Sequence, residues 1–121
     1  MKSYTDINQS KMLAEILPIE SADMGLYYSH NTLAANNQMW VGTKSENADI
    51  PCWSLVALLN VIPKHIKDYN VLRIDISDND FAIWYDEIGY GVNNDLPDIT
   101  TESAVDACYE MILKLHELNL L

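Results

Sequence analysis

Hydrophobic residues along this chain recur with two different spacings, and each spacing predicts a different kind of element. From Ser10 to Leu17 the apolar residues Met12, Leu13, Ile16 and Leu17 fall at helical spacing behind a serine suited to cap a helix, and Pro18 stops the run. The stretch Trp53–Ile62, introduced by Pro51 and closed by Pro63, can place Trp53, Val56 and Leu59, or Leu55, Leu58 and Leu59, on one face. That predicts a buried helix, with the proline leading into its first turn. From Thr101 to Leu118 the residues Ala104, Cys108, Met111, Ile112 and Leu115 form one stripe, with Thr100 or Thr101 as cap and Glu102 in the first turn, where the helix dipole favours an acid.

Val71–Ile76 alternates instead, and Phe81–Tyr85 does so in part, around the turn-forming Ser77-Asp78-Asn79-Asp80; this is a hairpin pattern. Gly25–Tyr28 and Gln38–Val41 read as two further short strands, with a turn at Asn36-Asn37. Residues 86–99, with Gly89, Gly91, Asn93, Asn94 and Pro97, read as a loop interrupted by a short strand at Tyr90-Gly91-Val92. The elements together predict an α+β fold: a small antiparallel sheet built on the Val71–Tyr85 hairpin, completed by the strands between Gly25 and Val41, with two to three packed helices. With no repeat, linker or low-complexity tract, residues 1–121 read as a single domain. If the first helix leaves the second sheet face open, a second copy of the chain would bury it, giving a homodimer.

Composition sharpens this picture in two ways. At 121 residues with 49% hydrophobic and 21% charged, the chain has enough apolar material for a core and lacks the low hydrophobicity of disordered sequences. Its longest apolar run, Leu55–Leu59, is far shorter than the ~20 residues of a membrane span. The start of the chain shows no signal-sequence core, so the expectation is a cytoplasmic protein whose Cys52 and Cys108 are free, buried thiols.

The charge is uneven. Eighteen acidic residues against seven basic give −11, and between Asp68 and Glu117 twelve acids face only Arg73 and Lys114, whereas the first 67 residues hold six acids and five bases. Such a field repels phosphate backbones and anionic lipid surfaces, which disfavours direct nucleic-acid binding and membrane association and points to a basic protein as partner. Glu102, Asp106 and Glu110, spaced i, i+4, i+8, read either as a solvated helix face or as an anionic docking strip. With Asp78, Asp80, Asp86 and Glu87 of the hairpin region they form the candidate interaction surface. Trp84 and Tyr85 are consecutive in a strand and point to opposite faces, so that one of them, exposed beside these acids, is a candidate hot spot.

Other chemistries find little support. Asp75, Asp78, Asp80 and Asp86 do not make a calcium loop, which would need glycine where Asp80 stands. His30, His65 and His116 share no metal-ligand spacing with a cysteine or with each other, and the glycines Gly25, Gly42, Gly89 and Gly91 do not build a phosphate loop. No nucleophile motif surrounds Cys52 or Ser54. The expectation is therefore no catalytic residue, no cofactor and no metal ligand.

Two stretches, Glu20-Ser21-Ala22-Asp23-Met24 and Pro51-Cys52-Trp53-Ser54-Leu55 running on to Pro63, resemble small uncharacterised proteins carried by phages and mobile elements of gut anaerobic bacteria. The likeness continues through Asp106-Ala107, Glu110-Met111 and Leu115 and so covers most of the chain after residue 10. It implies a mobile-element origin and a small α+β domain, and brings no activity, cofactor or site residue. The expected function is a non-enzymatic acidic interaction module, in its sharper form a mimic of nucleic acid. The alternative is a small-molecule-binding domain or hydrolase that uses the 86–99 loop as a lid over a pocket of Tyr85, Tyr90 and His30.

Overall fold

The computed structural model of the chain describes residues 2–28, 39–67, 70–87 and 96–121. The turn expected at Asn36-Asn37, the strand expected at Tyr90–Val92, and His30 lie outside the described residues.

The elements run α1 (Ile7–Ile16), a single 3-10 turn at Ile19–Ser21, β1 (Met24–Tyr28), β2 (Met39–Thr43), β3 (Ile50–Cys52), α2 (Leu55–Val61), β4 (His65–Ile66), β5 (Asn70–Ile76), β6 (Phe81–Glu87), β7 (Asp98–Thr101) and α3 (Ala104–Glu117). The class is α+β, as the sequence predicts. The strands between Gly25 and Val41, however, do not complete the hairpin sheet. They form a separate antiparallel sheet in the order β2-β1-β3, while the hairpin lies in a second, β4-β5-β6-β7.

Each helix begins where a side chain, rather than the apolar pattern, satisfies its first N–H groups. Asp6 caps α1 through a capping box with Gln9, so the helix starts a turn earlier than the apolar spacing suggests. Ser10, read as the cap, is buried inside it with its hydroxyl 2.7 Å from that of Thr5. Ser54 caps α2, which leaves Pro51 and Cys52 in a strand instead of a first helical turn. Proline suits that place because β3 is an edge strand and no outward N–H is needed. Ser103 caps α3, and Thr100 and Thr101 belong to β7, paired with Ala82 and Phe81. Glu102 therefore precedes the helix and is not part of its first turn. At the other end α3 closes with a Schellman motif: Asn119 takes φ 58°, and the Leu120 N–H donates to the Leu115 carbonyl at 2.9 Å.

Strand alternation decides the main core. Phe81, Ile83 and Tyr85 of β6 and Ile99 of β7 are buried on one face, against α3, which contributes Val105, Ala107, Cys108, Met111, Ile112 and Leu115, and against Trp53, Leu58 and Ile62 around α2. Fully burying a side chain such as Leu58 or Met111 stabilises the fold by roughly 1.5–3 kcal/mol. Register places Leu72, Ile74 and Ile76 of β5 on the same face as Tyr85, Ile83 and Phe81. Yet α3 packs on β6 and β7, so Ile74 and Ile76 stay exposed at 40% and 75%. A second, small cluster of Leu26, Ile50 and Cys52 sits on the inner face of the first sheet, against α1. The consecutive residues Cys52 and Trp53 thus belong to different cores, and the end of β3 joins them.

Candidate interaction surface

The stretches Glu20–Met24 and Pro51–Leu55, far apart in the sequence, meet in space. Met24 and Gly25 pair with Cys52 and Pro51 across β1 and β3. The Trp53 indole N–H donates to the Ser21 hydroxyl at 2.9 Å, the Ser54 N–H donates to Asp23 at 2.9 Å, and the Ser54 hydroxyl donates to the other Asp23 oxygen. Ser54 also accepts from the Ala57 N–H as the α2 cap. Its hydroxyl thus serves both the α2 cap and the link to Asp23. Cys52 is buried with its thiol directed at the Thr5 carbonyl, 3.4 Å away. Burial pushes the Cys108 thiol up to about 12, against the opposing charge of Lys64, so it stays protonated and unreactive near neutrality.

The seven acidic candidates do not form one strip. Asp106 accepts from Lys2 Nζ at 2.7 Å and from Gln9 Nε2 at 2.8 Å, and so ties α3 to the beginning of the chain. Its partial burial favours the neutral acid, but the hydrogen bonds and the Lys2 charge outweigh this and hold its carboxyl below the ordinary value. Glu110 is exposed one turn further along. Asp78 and Asp80 lie in the β5–β6 turn, and Glu102 follows Thr101, which pairs with Phe81; these three carboxylates crowd the same end of the sheet. Asp86 is on the sheet face opposite the helices, with the Arg73 guanidinium 3.6 Å away, and Glu87 follows on the other face, opposite Asn70.

That outer face holds what the acidic count alone did not reveal. Arg73, Trp84 and Asp98 stand in one cross-strand row, with Asp86 beside Val71 in the row before and Asp75 beside Ala82 in the row after. Asp75, Asp86 and Asp98 are exposed and Trp84 is half-buried among them. The signal was present in the alternation of 71–76 and 81–86, but Asp98 joins the group only because β7 pairs with β6. Tyr85 points the opposite way, is buried, and gives its hydroxyl to the Pro63 carbonyl at 2.6 Å. Tyr90 and His30, expected beside it in a pocket, lie outside the described residues. An open cleft of about 440 Å³ lies elsewhere, walled by Tyr4, Ile7, Leu26 and Val41 where α1 meets the first sheet.

Among the described residues no cluster of three His, Cys, Asp or Glu side chains could hold a metal, and no helix is long and apolar enough to cross a membrane. The fold is α+β, with three helices and two small antiparallel sheets among the described residues and an acidic, tryptophan-bearing sheet face. Compared with family models, curated proteins and solved structures, the chain has no match.

Proposed function

We propose that this chain is a non-enzymatic, acidic protein-interaction module of the kind carried by phages or mobile elements, which docks a basic protein. The observation that carries the reading is the Trp84 row: an aromatic ring set among Asp75, Asp86 and Asp98 on the sheet face turned away from the helices. A half-buried tryptophan supplies apolar contact area, and the carboxylates around it supply long-range attraction and orientation for a cationic surface. Imitation of a nucleic-acid backbone is the sharper form of the same reading.

The test is capture from a bacterial lysate at low salt, with the native chain compared to Trp84→Ala and to a variant carrying Asn at 75, 86 and 98. A basic protein should be retained by the native chain, released by moderate salt, and lost from both variants. Retention that ignores these substitutions, or no salt-sensitive retention at all, removes the proposal. If the captured protein also binds DNA, competition between DNA and this chain decides the mimicry version.

A further inference from the structure

The outer face of the first sheet carries a second aromatic feature, part of which packs on the sheet and part of which stays exposed. Gly25 and Gly42 are directly paired there, and side chains lie close over the bare backbone they leave: a Cβ on Gly25 would meet Ala48 Cβ at 2.7 Å and Tyr27 Cε2 at 3.2 Å, and one on Gly42 would meet Trp40 Cζ3 at 2.8 Å and Tyr27 Cε2 at 3.3 Å. The Tyr27 hydroxyl donates to the Thr43 carbonyl at 2.5 Å and lies 2.8 Å from the Ser45 hydroxyl, which fixes the ring. Covering paired glycines with aromatic rings is an ordinary packing device, which Tyr27 and one edge of Trp40 fulfil together. Trp40, its cross-strand partner, stacks on Tyr27 with centroids 4.3 Å apart and planes 15° from parallel, yet it remains 55% exposed. One face of the indole is held and the molecule is left with a preorganised aromatic surface.

The margin of this surface is acidic. Residues 45–49 fold over the same region: Ser45 reaches the Tyr27 hydroxyl, Ala48 lies against Gly25, and Asp49 follows, its carboxylate accepting from the Tyr28 N–H at 2.7 Å. Glu46 and Asp49 are both exposed in this segment, and the neighbouring Lys44 gives its ammonium to the Ile19 carbonyl at 2.9 Å. An exposed indole on a sheet bordered by the exposed acids Glu46 and Asp49 suits a planar cation that can stack and pair at once. Guanidinium meets that requirement better than ammonium, being planar, weakly hydrated and able to fork onto a carboxylate.

We infer that Trp40, seated on Tyr27, is a stacking platform for an arginine side chain of the basic partner. This rests on the basic-partner reading but places a specific contact on the other sheet. The test compares two labelled octapeptides of alternating glycine and arginine or glycine and lysine, titrated by fluorescence anisotropy at low salt, with the Trp40 indole N–H resonance followed by NMR. The native chain should bind the arginine peptide about fivefold more tightly than the lysine peptide, the size expected of an exposed cation–π contact. Trp40→Leu should reduce that preference to parity while leaving lysine-peptide binding and the circular dichroism spectrum unchanged, and Glu46→Gln with Asp49→Asn should weaken both peptides. Equal binding of the two peptides, or a preference that survives Trp40→Leu or disappears instead in Trp84→Leu, overturns the inference and leaves the docking proposal standing. Failure of both peptides to bind overturns both.

Discussion

At the scale of single residues, the acids of this chain divide into those that hold the fold and those that face outward. Asp106 is the clearest of the first kind, since it receives both Lys2 and Gln9. Its folded value lies below the ordinary 3.8, so its contribution is complete above that value and lost as pH falls through the lower folded one. For Lys2, partial burial works against the charged form, but its hydrogen bonds to Asp106 and Asp6 and their charges raise it, so its contribution is complete below 10.5 and lost only as pH rises beyond. Both side chains are about a third exposed, at 30% and 37%, which limits the pair to roughly 0.5–1 kcal/mol. Asp106→Asn should therefore melt a few degrees below the native chain at pH 6, with the gap closing toward pH 3. A gap that does not change with pH would show that the carboxylate charge is irrelevant.

At the scale of elements, the ends of the helices carry more information than their apolar stripes. The stripe of α3 was legible because Cys108, Met111, Ile112 and Leu115 recur at helical spacing, and all four are buried. Its start was not, because three hydroxyl residues, Thr100, Thr101 and Ser103, compete for the cap, and only the pairing of β7 with β6 assigns the threonines to a strand. The start of α1 was legible in principle, since Asp6 and Gln9 form a capping-box pair, but the apolar run drew attention to Ser10. The end of α3 offers a measurement: Asn119 holds a left-handed conformation that glycine adopts at no steric cost. Asn119→Gly should keep or slightly raise the melting temperature, and Asn119→Val should lower it by the equivalent of roughly 1–2 kcal/mol. Equal effects of the two would rule out the conformation as their cause.

At the scale of the whole molecule, two cores of unequal size are joined end to end at Cys52 and Trp53. Among the described residues the main cluster contains eighteen buried side chains and the smaller one three, Leu26, Ile50 and Cys52. Less apolar surface must be exposed to open the first sheet than the second. Amide hydrogen exchange should accordingly be at least tenfold faster in β1 than in β6 and α3. Uniform protection would mean that the contacts of Trp53 with Ser21, and of Ser54 with Asp23, bind the two cores into one cooperative unit.

The sequence by itself determined the α+β class, the hairpin around Ser77–Asp80 and the buried stripe of α3. Each depends on periodicity, and periodicity is a local property that neighbouring side chains impose on their own backbone. Only the tertiary structure decided that the strands split into two sheets, that Pro51 sits on a sheet edge, and that Asp106 is tied to Lys2 while Asp75, Asp86 and Asp98 gather round Trp84. Those outcomes depend on which strand pairs with which, a choice settled by cross-strand contacts between residues far apart in the chain, and spacing along one segment does not encode it.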